Sequence, residues 1–143
     1  MQKIKWGIIG PGSIANNFAE ALQLSYSGKL IAIASKNSFR LEQFGDKFQI
    51  SENFRFNNYE DLLDNEDIDA VYIATPHVFH ADLSIKAAGK GKHILCEKPG
   101  AVNFRQTLKV IEKVQEAGVF YKEGFMYRCH PQIPKLLSII KNN

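Results

Sequence analysis

The chain has 143 residues, 45% of them apolar and 23% charged, with a formal net charge of +3. This is enough for one hydrophobic core and short for two ordinary domains, and the balance of residues is that of a globular chain rather than a disordered one. Basic residues alternate with acids instead of forming a block that could track a phosphate backbone, so no nucleic-acid partner is expected.

Two cysteines, Cys96 and Cys129, do not make the disulfide framework of a small secreted domain, and a reducing compartment is the simpler expectation. The opening "MQKIKWGIIG" runs straight into a strand, and no apolar run approaches the roughly 18 residues of a membrane span. A cytoplasmic protein with no membrane partner is expected.

Residues 4–9, "IKWGII", read as a short buried strand ended by Gly10, Pro11 and Gly12. The following "SIANNFAEALQLS" has helical spacing, with Ile14, Phe18, Ala21 and Leu22 predicted to cover one face against a sheet. "LIAIA" at 30–34 is continuously apolar, the pattern of a strand covered on both faces. "SFRLEQFGDKF" is a predicted helix, and "NNYEDLLDNEDID" holds a shorter one anchored by Leu62 and Leu63.

"AVYIAT" at 70–75 is another buried strand, stopped by Pro76. A helix over about 79–88, with Leu83 and Ala87 inward, leads through "GKGK" to the strand "HILC" at 93–96. "FRQTLKVIEKVQEAG" carries a helical period through Leu108, Ile111 and Val114, and Gly118 is a natural stop. A strand is predicted within 119–125, and a last helix begins at "PQIP", with Pro134 in its first turn.

Strands alternating with helices at this spacing predict an α/β fold: an open, largely parallel, doubly wound sheet with helices on both faces. Right-handed crossovers place the loops after the strands along one edge. Four segments, 10–15, 35–36, 75–80 and 97–99, then share one crevice.

Gly10, Gly12 and Ala15 form a G-x-G-x-x-A pattern directly after a strand and at the start of a helix. The first glycine permits a tight turn, the second lets a diphosphate approach the backbone, and the small third residue lets helix and strand pack closely. Free amides from about Ser13 onward suit the diphosphate. The pattern leaves open a glycine turn needed only for packing, and FAD instead of a nicotinamide cofactor. A Rossmann-type site for NAD commonly ends its second strand in an acid that holds the ribose; here stand Ser35, Lys36 and Asn37. Ser35 as a donor and Lys36 as a neutralising charge favour NADP, with NAD possible and Lys36 as a plain solvated turn residue the alternative.

In "TPHVFH", Thr75 and Pro76 are placed to line the nicotinamide side. His77 and His80 share one face of a helical turn, yet no third ligand completes a metal set, and no metal is expected; a helix-cap role is the alternative for a histidine. Glu97 and Lys98 follow the next strand. They are either a solvent-facing ion pair of little value or a catalytic pair, Lys98 exchanging a proton with a substrate oxygen and Glu97 holding Lys98 or the nicotinamide ribose. Pro99 fixes the backbone after Lys98 in either isomer.

The stretches "GIIGPGSIANNFAEAL", "IDAVYIATPHVFHADLSIKAAGKGKHILCEKPGAVN" and "EGFMYRCHPQIPKL" resemble the N-terminal half of the Gfo/Idh/MocA family of oxidoreductases. The resemblance implies an NAD(P)-dependent enzyme that moves hydride to or from a sugar, polyol or related hydroxy/keto compound. It implies a diphosphate site at Gly10, Gly12, Ser13, Ile14 and Ala15, and Ser35 and Lys36 by the adenosine ribose. Thr75, Pro76 and His80 would flank the nicotinamide end, Glu97 and Lys98 form the central pair, and Arg128 lies near the cofactor or in an interdomain ion pair.

Gly100 stands where many relatives carry a larger apolar residue, which predicts a looser loop. The resemblance also divides the chain into a dinucleotide-binding unit, 1–125, and a junction with a first helix, 126–143. That junction leads in relatives to a second, α+β domain, absent here, that supplies most of the substrate pocket and the homo-oligomer surface. Phe125, Tyr127, Leu136, Leu137, Ile139 and Ile140 are expected to be exposed without it. A non-catalytic nucleotide-binding or sensory module is the alternative to an enzyme.

Overall fold

The computed structural model describes residues 3–141, so the ends of the two predicted units, at 1–2 and 142–143, lie outside the described residues. Six parallel strands form one sheet: β1 (Ile4–Ile9), β2 (Gly28–Ala34), β3 (Arg55–Phe56), β4 (Ala70–Ile73), β5 (His93–Cys96) and β6 (Tyr121–Glu123), in the order β3-β2-β1-β4-β5-β6. The order reverses between β1 and β4, and in open α/β sheets the crevice outside such a switch point is where ligands bind.

Helices α1 (Ser13–Gln23) and α2 (Ser38–Lys47) cover one face, burying Ala15, Ala19, Leu41 and Phe44 against Ile8 and Ile33. Helices α3 (Tyr59–Asp64), α4 (His80–Gly89) and α5 (Phe104–Ala117) cover the other, where Leu62, Leu63, Leu83 and Ala87 meet Ile9, Val71, Ile73 and Ile94. β4 and the last three residues of β1 and β2 are thus buried, while Ile4 at the start of β1 is exposed.

Two packing expectations are corrected, and one strand is new. The sheet-facing stripe of α1 is Ala15, Ala19 and Leu22, with Phe18 half-buried and Ala21 exposed. Small side chains lie at the closest approach of helix and sheet, so the larger ones are displaced to the flank. On α5 the buried residue is Val110, supported by Val114 and Ala117, while Leu108 and Ile111 are exposed. β3 was not expected; two residues suffice there because β2 supplies a parallel partner at Ile33 and Ala34.

Helix α6 (Gln132–Lys141) follows a 3-10 turn at Met126–Cys129 and contains no buried residue; Pro134 lies in its first turn. Phe125, Tyr127, Leu136, Leu137, Ile139 and Ile140 are all exposed, as expected. No helix among the described residues is long and apolar enough to cross a membrane.

Candidate functional site

The ladder of main-chain hydrogen bonds continues past the strands and ties their following loops side by side. Gly10 N donates to Ala34 O, Ala74 N to Ile9 O, Glu97 N to Ile73 O and Gly124 N to Cys96 O, at 2.7–3.0 Å. The predicted convergence at the carboxyl edge is therefore built into the backbone.

Gly10 has φ +96°, and a Cβ there would lie 3.0 Å from the Ala74 carbonyl oxygen. Only glycine adopts that turn without strain. Gly12 differs: its backbone is ordinary, and a Cβ would meet nothing within 4 Å, because it would stand in open space over the start of α1. Gly12 caps that helix without a side-chain acceptor, leaving first-turn amides without a capping side chain. Ala15 is fully buried and sets the close packing of α1 on the sheet.

Gly10, Gly12, Ser13 and Ile14 of the first loop line a cleft of about 430 Å³ with Ser35 and Lys36 of the second and Thr75 and Pro76 of the third. Arg40 and Tyr59 complete its far end, and neither was singled out from the sequence. Arg40 reaches it because Asn37 caps α2, its Oδ1 accepting the Arg40 amide at 2.9 Å, which fixes the first turn beside the cleft. An asparagine cap followed three residues later by arginine was the available signal. Lys36 Nζ lies 5.4 Å from the centre of the Tyr59 ring, a cation–π distance.

Ser35 takes a different part from the free donor expected. It is buried, and its hydroxyl donates to Asn37 O and accepts from Asn37 N, at 3.2 and 3.1 Å. It shapes the turn that presents Lys36 and Arg40. Thr75 is 8% exposed, and its Oγ1 is buried with no partner among the described residues.

A second, more apolar groove of about 330 Å³ adjoins the cleft and shares Ile14 with it. Phe18, Tyr72, Glu97, Phe125 and Met126 are among its walls. Of the two roles expected of Glu97, holding the Lys98 ammonium is not the one formed; its Oε1 accepts from Tyr72 Oη at 2.5 Å and its Oε2 from the Lys98 amide at 3.3 Å. The solvent-facing ion pair is likewise not formed. Lys98 is exposed, with no acceptor for Nζ among the described residues, and the Lys98–Pro99 bond is cis.

Four expected site residues line neither cavity: Ala15, buried where α1 packs on the sheet, and three others. Lys98 stands on the exposed turn after β5; Arg128 is exposed on the 3-10 turn before α6; His80 is 1% exposed beneath the loops. The His80 ring nitrogens face the carbonyl oxygens of Thr75 and Pro99, so it braces two loops from below instead of flanking the cleft. His77 is exposed and does not share its environment.

The looser loop expected at Gly100 is also corrected. Gly100 is buried, its amide donates to Glu123 Oε1 at 2.6 Å, and the space a Cβ would need is filled by Tyr121 Oη. The turn is pinned because the bulk comes from a neighbouring strand.

The crystal structure of KijD10, a 3-ketoreductase from Actinomadura kijaniata in complex with NADP, aligns with a TM-score of 0.91 and 31% identity, over 99% of this chain and 44% of that one. Trans-1,2-dihydrobenzene-1,2-diol dehydrogenase from Mus musculus is 32% identical over 139 residues, 96% of this chain and 41% of the relative. D-xylose 1-dehydrogenase (NADP(+)) 2 from Haloferax volcanii is 35% identical over 136 residues, again 41% of its own length. The chain thus spans about two fifths of the relatives it matches. Residues 4–125 match the GFO_IDH_MocA family, described as an oxidoreductase family with an NAD-binding Rossmann fold, and the chain belongs to that family.

Proposed function

We propose that this chain is the cofactor-binding part of an NAD(P)-dependent oxidoreductase acting on a sugar, polyol or related hydroxy/keto compound, with NADP preferred over NAD. The observation that carries this reading is the cleft at the switch point, whose features fit a dinucleotide. Gly12 leaves room for close backbone approach, the amides at the start of α1 suit a diphosphate, and the orphaned Thr75 Oγ1 lacks the partner a ligand would give it. Lys36 and Arg40 at the far end, with no acid beside them on that loop, suit a ribose carrying a 2′-phosphate.

The bound nicotinamide would supply or accept the hydride. Gly10 shapes the turn, and Gly12 and the amides of Ser13, Ile14 and Ala15 hold the diphosphate. Lys36 and Arg40 neutralise the ribose phosphate, Ser35 orients them, and Thr75 and Pro76 line the way to the ring. Lys98 gives a proton to, or takes one from, the substrate oxygen; its ammonium, exposed and with no acceptor among the described residues, supports that role. Glu97 faces the groove beside it, His80 supports both loops, and Arg128 stands at the junction with the part of the protein that shapes the substrate pocket.

The two units, 1–125 and 126–143, are part of the same proposal, as is a homo-oligomer in a chain that carries the second domain. The family match over 4–125 and the lack of any buried residue in α6 support the division. The names of the relatives, a 3-ketoreductase crystallised with NADP and an NADP(+)-dependent xylose dehydrogenase, support the substrate class and cofactor.

Calorimetric titration of the chain with NADP and NAD tests this. NADP should bind at least about tenfold more tightly, a difference of about 1.4 kcal/mol, and Arg40→Ala should remove most of that preference. Equal binding of the two, or a preference for NAD, would remove the phosphate role of Lys36 and Arg40; binding of neither would remove the cofactor reading.

A further inference from the structure

We infer that Tyr72 is a positioning residue for the nicotinamide end of the site: its phenol fixes the Glu97 carboxylate so that this carboxylate can accept the hydroxyls of the nicotinamide-side ribose. The inference rests on the cofactor reading above and extends it to a strand residue whose sequence pattern is that of plain core.

Within "AVYI" every residue of β4 is buried, and a phenylalanine would fill the same volume as Tyr72. What distinguishes Tyr72 is its hydroxyl. At 3% exposure it donates to Glu97 Oε1 at 2.5 Å, across 25 residues of sequence. The ring cannot swing away, because it is stacked on Phe18 at 4.1 Å between centroids and 30° between planes. Burial, the hydrogen bond to Glu97 and the charge of Glu97 all push the phenol far above its ordinary range, so it remains a donor.

Glu97 is held by two hydrogen bonds and given room by a glycine. Oε1 takes the Tyr72 hydroxyl, Oε2 takes the amide of Lys98 at the long distance of 3.3 Å, and Gly124 leaves the space that a Cβ would contest, 3.2 Å from Oε1. A carboxylate oxygen offers about two lone-pair directions, so both oxygens retain acceptor capacity after these bonds. Glu97 lies on the groove that meets the diphosphate cleft at Ile14, the direction in which a dinucleotide extends from its diphosphate. An unbraced glutamate there would lose side-chain freedom on binding a hydroxyl; one already fixed by a charge-assisted bond would not.

The test uses two ligands that share the adenosine end: NADP, and adenosine 2′,5′-bisphosphate, which lacks the nicotinamide riboside and the diphosphate's second phosphate. Tyr72→Phe keeps the stack on Phe18 and removes only the hydroxyl. By calorimetry it should weaken NADP about fivefold to tenfold while leaving the bisphosphate unchanged. Glu97→Gln should show the same confined loss, and the double variant should be no worse than Glu97→Gln alone.

Wild-type NADP affinity in either single variant would overturn the inference, as would an equal loss for both ligands, which marks general damage to the fold. If the wild-type chain binds NADP no more tightly than the bisphosphate, Glu97 holds no ribose and the inference falls while the adenosine site stands. If it binds neither, the cofactor reading falls and takes this inference with it. Should Tyr72→Phe not fold, the Glu97→Gln comparison decides, since unchanged NADP affinity in that variant alone is fatal.

Discussion

His80 Nδ1 lies 2.8 Å from the carbonyl oxygen of Pro99, and its Nε2 lies 2.7 Å from that of Thr75. Both partners are carbonyl oxygens, so the ring's N–H meets an acceptor on whichever nitrogen carries it. A single buried side chain thus couples the loop after β4 to the turn that carries Lys98. His80→Phe would keep much of the volume and leave the carbonyl that accepts the ring N–H without its donor. We expect a loss of about 1–3 kcal/mol in urea unfolding, with faster hydrogen exchange at the Gly100 amide next to the released turn. Unchanged stability and exchange would show that the brace carries no weight.

The two glycines of the first loop separate a folding requirement from a binding one. Gly10→Ala places a methyl 3.0 Å from the Ala74 carbonyl at a φ of +96°, and should destabilise the chain by about 1–3 kcal/mol. Gly12→Val enters open space on ordinary backbone, so beyond the loss of about 1 kcal/mol expected of valine at a helix N-cap it should leave stability alone while weakening NADP at least about tenfold. Unfolding curves and calorimetry on the same two variants check both halves. A Gly12→Val chain that binds NADP normally would place the diphosphate elsewhere.

The parts of this structure readable from sequence are those in which one local pattern has one physical solution. Apolar runs such as "AVYI" and "LIAIA" have no stable place except inside a two-sided sheet, and a Gly10-x-Gly12 turn between a strand and a helix leaves few other conformations. Relations that depend on partners far along the chain were not readable. β3 exists because β2 offers it an edge, Gly100 is filled by Tyr121, and Tyr72 finds Glu97 only once β4 and β5 are paired. Arg40 lies between these cases, since its cap was local but its direction depended on how α2 meets the sheet.

Gly100 and Tyr121 form a pair that mutation can separate. Gly100→Ala drives a methyl toward Tyr121 Oη in a buried turn whose amide is committed to Glu123, and should cost about 1–3 kcal/mol. Tyr121→Phe removes the obstructing oxygen, so the double variant should be more stable than Gly100→Ala by at least about half of that loss. Additive effects in a double-mutant cycle of unfolding free energies would mean that the two side chains do not compete for the same space.

Alkaline pH should weaken the fold through Cys96. The residue is fully buried on β5, and burial is the main cause that pushes its thiol from 9.0 up to about 12. The unfolded thiol releases its proton around pH 9, whereas the native one keeps it until about 12. Between those values the native state binds more protons than the unfolded state, so stability falls as pH rises. From pH 8 to 10 the loss from this residue is roughly 1.4 kcal/mol. Tyr72 and Tyr121, also raised by burial, add the same sign above their ordinary 10.0, while Lys92, lowered by burial, works the other way below its ordinary 10.5. Comparison with Cys96→Ala isolates the thiol. The variant starts from lower stability because a cavity replaces the sulfur, but its decline between pH 8 and 10 should be shallower than that of the wild type by roughly 1.4 kcal/mol. Parallel declines in the two proteins would show that the buried thiol titrates as it does in the unfolded chain.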